Sequence, residues 1–314
     1  MIEPNIILSK QMREFFIKDN GIPMQVIEDP YFHYYLNLFD PYFQSLEKYK
    51  LLIDTIGILG DESKISEVSR TFMDEVNFHI EESPCYQNFV HDMILPDLAL
   101  QLKKGNLYQK DNNGKQFASI DLVEANYQSM KFVCPLVLAE ETYEEFANRF
   151  TVLRYIITCK KIRQIIFGQL SPSKQQGVQR HIISVIQKYL MDNVGIKKDS
   201  ITATSSDEIV FETKSSSEEL KKLINEYKEC NRCKIPGIEG IRLRITVFEL
   251  KQHGTDKYKF FVKHHENGKK EIKGVEAAYM PEVIKFFEGR AISSISDTLF
   301  VRNGRICNFR DSLF

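Results

Sequence analysis

The 314-residue chain has no run of 18 apolar residues, which excludes a spanning helix and a membrane partner. Its start, MIEPNIILSK, lacks a basic opening and a long apolar stretch, so no signal peptide is expected. Six cysteines are scattered without framework spacing, and the expected setting is reducing and cytoplasmic. There is no Gly-rich phosphate loop, nucleophile elbow or HExxH, and neither an internal repeat nor a low-complexity linker. The lone CNRC, Cys230 to Cys233, lacks a second pair; as half of a zinc site it would need His253, His264 or His265.

What remains is an ordinary globular composition, 43% hydrophobic and 27% charged. Net charge is −1 but unevenly placed. Residues 1–100 carry 7 basic and 17 acidic side chains; the rest carries 35 and 26. The basic remainder is the footprint expected of a protein that meets an anionic partner, although such segregation also arises by chance.

Residues 31–100 show apolar residues at three- and four-residue spacing, interrupted near Pro41, and predict amphipathic helices. Their many Tyr and Phe residues fit interhelical core better than a base-stacking platform. After the polar turn at Asn113-Gly114 the pattern changes. QFASID predicts a strand, LVEANYQSMKFVC a helix, and ETYEEFANRFTVLRYIITCKKIRQIIFGQL further, increasingly basic helices. Ser171-Pro172 opens a helix of about 20 residues ending near Gly195. ITATSSDEIVFET predicts a hairpin with Asp207 and Glu208 at its tip. A capped helix, a second hairpin (GIRLRITVFELKQ with KYKFFVKHH), a short helix and a hairpin turning at Asn303-Gly304 complete the chain. The order is α+β, with an antiparallel sheet expected.

Two adjacent carboxylates at a hairpin tip repel each other, and a divalent cation would relieve that repulsion. A third carboxylate is then needed on a neighbouring strand, and Asp121, at the end of FASID, is the candidate. The bland alternative is a polar turn in one place and a helix cap in the other. SIDLVEANY followed by SSDEIVFE resembles motifs A and C of palm domains, found in polymerases, reverse transcriptases, GGDEF cyclases and tRNA-His guanylyltransferases. The resemblance covers about residues 100–250.

It implies a palm-like antiparallel sheet with helices on one face, preceded by a helical N-terminal region. The expected domains are 1–107 helical, 108–250 palm with a basic fingers-like insertion at about 150–195, and 251–314 a small β-rich thumb. It implies a nucleotidyltransferase that uses two Mg²⁺ (or Mn²⁺) ions on nucleoside triphosphates, with DNA or RNA as polymer partner. Asp121 and Asp207 would be the shared metal ligands, Glu208 an auxiliary one, and the Leu122 carbonyl a further contact. Asn126, with Tyr127 beside it, would face the sugar. Between the motifs, Lys174, Gln175 and Arg180 are expected at the nucleotide, and Arg154, Lys160, Lys161 and Arg163 at the polymer. The alternative there is a solvated basic helix face. The chain departs from the pattern at three points. Asn126 replaces the usual aromatic or Glu. Ser205 and Ser206 replace the cyclase glycines. The glycine and phenylalanine that follow the guanylyltransferase acid are missing. A cyclase, a non-catalytic nucleic-acid-binding palm and a purely structural interaction protein are the competing readings.

Overall fold

Ser9 and Ser83 each turn a side-chain oxygen to an N–H of the following turn and so begin two of the N-terminal helices. A computed structural model describes residues 7–93, 105–229, 240–255, 258–290, 299–302, 305–308 and 313. Its N-terminal part is helical: α1 (Lys10–Asp19), α2 (Tyr31–Phe43), α3 (Ser45–Leu59), α4 (Lys64–Glu81) and α5 (Pro84–His91). The interruption sensed near Pro41 comes just after it, where Gln44 takes a left-handed conformation between α2 and α3.

The chain then forms β1 (Gln116–Leu122), the helices α6 (Ala125–Val133), α7 (Tyr143–Ala147), α8 (Arg154–Thr158), α9 (Lys160–Gln169) and α10 (Pro172–Asn193), and the hairpin β2 (Ile201–Thr204) and β3 (Glu208–Glu212). Next come α11 (Ser217–Glu229), β4 (Leu243–Gly254), β5 (Lys259–His265), β6 (Lys270–Lys273) and α12 (Met280–Phe287). A separate ribbon, β7 (Leu299–Arg302) with β8 (Arg305–Asn308), is antiparallel; its expected Asn303-Gly304 turn lies outside the described residues. The protein is α+β. Its main sheet runs β2-β3-β1-β4-β5-β6, with every neighbouring pair antiparallel.

Strand alternation divides β1 between two environments. Ala118, Ile120 and Leu122 enter the main core with Tyr127, Met130, Ile182 and Ile186. Phe117, Ser119 and Asp121 point to the other face, where Phe117 meets Leu107, Val210, Phe248 and Leu250. Leu220 and Ile224 of α11 join the main core.

The boundary expected at residue 250 falls inside β4, and β5 and β6 extend the same sheet instead of founding a thumb. The reason is backbone pairing: β4 is 12 residues long and its outer edge continues the ladder into β5 from Phe248↔His265 to Gly254↔Lys259. The N-terminal helices are likewise tied in. Their core of Phe16, Phe32, Leu36, Phe39 and Leu52 includes Tyr155 of α8 and Met280 and Ile284 of α12.

Candidate functional site

The open face of the sheet gathers charge around Asp121. In the register of β1, Asp121 is opposite Glu208 on β3 and opposite Arg244 on β4. Directly paired residues in an antiparallel sheet share a face, so these three side chains meet. Arg244 grips Asp121 through both carboxylate oxygens, Nε to Oδ1 at 3.1 Å and Nη2 to Oδ2 at 2.5 Å. That bond raises the Arg244 pKa above its ordinary value. Glu208 accepts a hydrogen bond from the Ser119 hydroxyl at 2.5 Å and lies 3.8 Å from the Lys263 ammonium.

Lys263 is nearly buried. It sits 4.6 Å above the Phe248 ring and 3.9 Å from Glu271. Glu271 is bonded to His265 and Lys273, and the His265 contact above all holds its carboxyl well below the usual range. A cleft of about 660 Å³ opens over these groups. Its lining includes Asp121, Asp207 and Glu208, five lysines (160, 263, 269, 270 and 273) and the aromatic residues Tyr42, Phe43 and Tyr108. That volume suits a nucleotide-sized ligand.

The two hairpin acids separate. Glu208, expected as the auxiliary, is the register partner of Asp121. Asp207 stands one position on, its carbonyl accepting the Leu122 N–H at 2.9 Å and its carboxylate accepting the Ser205 hydroxyl at 2.7 Å. Ser205 in turn accepts the N–H groups of Asp207 and Glu208, and so locks this turn.

Of the residues expected in the insertion, Lys160 alone is among those lining the cleft. Arg154 pairs with Glu144 at 2.9 Å. Arg163 pairs with Glu124 at 2.6 Å over the Tyr143 ring, and so fixes the left-handed Glu124 that joins β1 to α6. Lys161 is exposed and its charge acts on Asp19; Arg180 is exposed on α10.

Lys174 and Gln175 do not reach the cleft, because helix ends claim them. The Lys174 ammonium bonds the carbonyls of Phe89 and Val90 in the last turn of α5. The buried Gln175 amide bonds those of Phe167 and Leu170 at the end of α9. Tyr127 cannot gate a sugar, because it is fully buried among Tyr143, Phe146 and Phe167 with its hydroxyl on the Glu140 carbonyl. Asn126 accepts from Gln179 of α10 at 2.9 Å. Cys230 and Cys233 lie outside the described residues.

Sequence reasoning missed Arg244, Lys263, Glu271 and the lysines of the β5–β6 hairpin, and it named His265 only as a partner for zinc. The signal was in strand phase. Once β4 is set beside β1, the alternation of Arg244, Thr246 and Phe248 aligns them with Asp121, Ser119 and Phe117.

Among the described residues, no three His, Cys, Asp or Glu side chains converge as a cation site. The donor set still fits a hard cation, because Mg²⁺ needs only one or two protein carboxylates when waters and phosphate complete its shell. A cationic group, the Arg244 guanidinium, already occupies the position against Asp121. Among the described residues, no helix is long and apolar enough to cross a membrane. No family model matches the chain, and no curated protein matches it in sequence.

Proposed function

We propose that the protein is a palm-type nucleotidyltransferase that acts on nucleoside triphosphates. The observation that carries this reading is the register pair Asp121 and Glu208, with Asp207 beside it, on the floor of a lysine-lined cleft. Asp121 and Glu208 would hold divalent cations, with Asp207 as the adjacent donor. Bound cations lower the pKa of an attacking hydroxyl and balance charge on the leaving phosphate. Lys160, Lys269, Lys270 and Lys273 supply fixed positive charge for the polyphosphate. Lys263 and Ser119 orient Glu208 from below, and His265 with Lys273 keeps Glu271 ionised, so that Glu271 in turn steadies Lys263.

The test is incubation with Mg²⁺ or Mn²⁺ and labelled NTPs or dNTPs, with and without primer–template, and resolution of the products. Asp121→Asn and Glu208→Gln should each cut turnover by about 10³-fold or more while leaving the protein folded. Full activity in either variant would refute the reading. One observation favours a second reading, a non-catalytic palm that binds nucleotide or polymer: Asp121 already has Arg244 as its counterion. Tight nucleotide binding without any product would select it.

A further inference from the structure

Arg244 combines two properties that conflict in a static site. It makes a two-pronged ion pair to the partly buried Asp121, whose side chain is 17% exposed. Its own side chain is 63% exposed and lines the same cleft as the lysines. A guanidinium prefers a fork of oxygens, and a phosphate offers the same fork as a carboxylate. The surrounding wall of Lys160, Lys269, Lys270 and Lys273 draws polyanions to within reach of that side chain. Among the described residues Arg244 is the cation paired with Asp121, while Lys263 on β5 is held between Glu208 and Glu271.

We infer that Arg244 is an exchangeable counterion: it neutralises Asp121 in the free protein and moves to the phosphates of an arriving polyphosphate, which releases Asp121 for a divalent cation. This rests on the reading of Asp121 as a cation ligand. The exchange gives the site an order. A cation alone competes with Arg244 for Asp121. A polyphosphate alone must break the ion pair before it gains the guanidinium. Each ligand removes the obstacle to the other, so their binding is positively coupled. The cleft thereby avoids holding a hydrolytically competent cation without its nucleotide.

Binding of single ligands tests this without any turnover. Isothermal titration calorimetry would follow Mn²⁺ alone, and inorganic tripolyphosphate in metal-free buffer, for the wild type and variants. Arg244→Gln should tighten Mn²⁺ by about tenfold, within the usual range of coupling between two ligands, and weaken tripolyphosphate. Asp121→Asn should do the reverse, tightening tripolyphosphate because Arg244 is set free. Removal of a negative charge would do this in a general way, so the double variant decides. The gain from Asp121→Asn must vanish when Arg244 is already Gln. An equal gain in both backgrounds, or unchanged Mn²⁺ affinity in Arg244→Gln, would overturn the exchange. If this pattern holds and no product forms from any nucleotide, only the enzymatic reading falls. If product forms and the pattern is absent, only the exchange falls.

Discussion

Asp19 closes α1 beside Cys159 and Tyr155, where burial pushes its carboxyl from 3.8 up to about 6 against the opposing pull of those hydrogen bonds and of Lys161. The folded chain then holds this proton more tightly than the unfolded chain does. Stability from this group is therefore greatest below about pH 4 and falls as pH rises from 4 to 6. At about 1.4 kcal/mol per unit, the loss amounts to about 3 kcal/mol at neutral pH. Asp19→Asn should flatten that slope and raise the neutral-pH stability, which denaturant titrations at pH 4.5 and 7 would measure. A variant with the wild-type pH slope would show that Asp19 titrates normally. Asp19 was not legible in the sequence, because its shift comes from burial, and the residues beside it, Tyr155 and Cys159, stand 136 and 140 positions away. Asp121 and Glu208 were legible, since each marks a strand end by its own polarity. The exchange of emphasis between Asp207 and Glu208 was not, because it depends on the β1–β3 register and a one-residue slip changes the face.

Single elements carried their own signatures well. The apolar alternation of β1, the Ser171-Pro172 start of α10 and the period of α4 depend on neighbours a few residues away, and these elements form where expected, while the end of the helical expectation at 94–100 lies outside the described residues. Roles assigned to the basic insertion fared differently. A lysine at a helix start looks the same in sequence whether it serves a phosphate or a neighbouring helix. Here the two ends meet: α10 begins where α5 ends, and the Lys174 ammonium satisfies carbonyls that α5 leaves open. Lys174→Ala should therefore cost about 1.5–3 kcal/mol of stability, the range for a hydrogen bond to a charged group, and leave nucleotide affinity unchanged. Chemical denaturation alongside nucleotide titration would separate the two effects. Weakened nucleotide binding with wild-type stability would return Lys174 to the proposed nucleotide site.

The charge asymmetry of the whole chain finds a place in the fold. The basic C-terminal two-thirds supplies every lysine named in the cleft, from Lys160 to Lys273. A nucleic acid that follows this wall would lose contacts when Lys269 and Lys270 are changed together to Ala. The slope of log affinity against log salt should then fall by about one unit per lost phosphate contact. Arg154→Ala and Arg163→Ala should change that slope less, since their charges are already matched by Glu144 and Glu124. Fluorescence anisotropy of a labelled single strand over a salt series would show it. An unchanged slope in the double-lysine variant would place the polymer elsewhere.

The central position of β1 also bears on how the cleft is assembled. Asp121 pairs with Glu208 and Arg244, 87 and 123 residues further on, and the cleft needs the lysines up to Lys273. Pairings so distant in sequence form slowly, because a long loop must close before they are rewarded. During synthesis at roughly 5–20 residues per second, about 8–30 s separate the emergence of Asp121 from that of Lys273. Through that interval the strand that bears Asp121 has neither of its partners for part of the time, and the lysine wall stays incomplete until its end. If the cleft takes nucleotides as proposed, a partly made chain would be inert toward them until the outer strands dock.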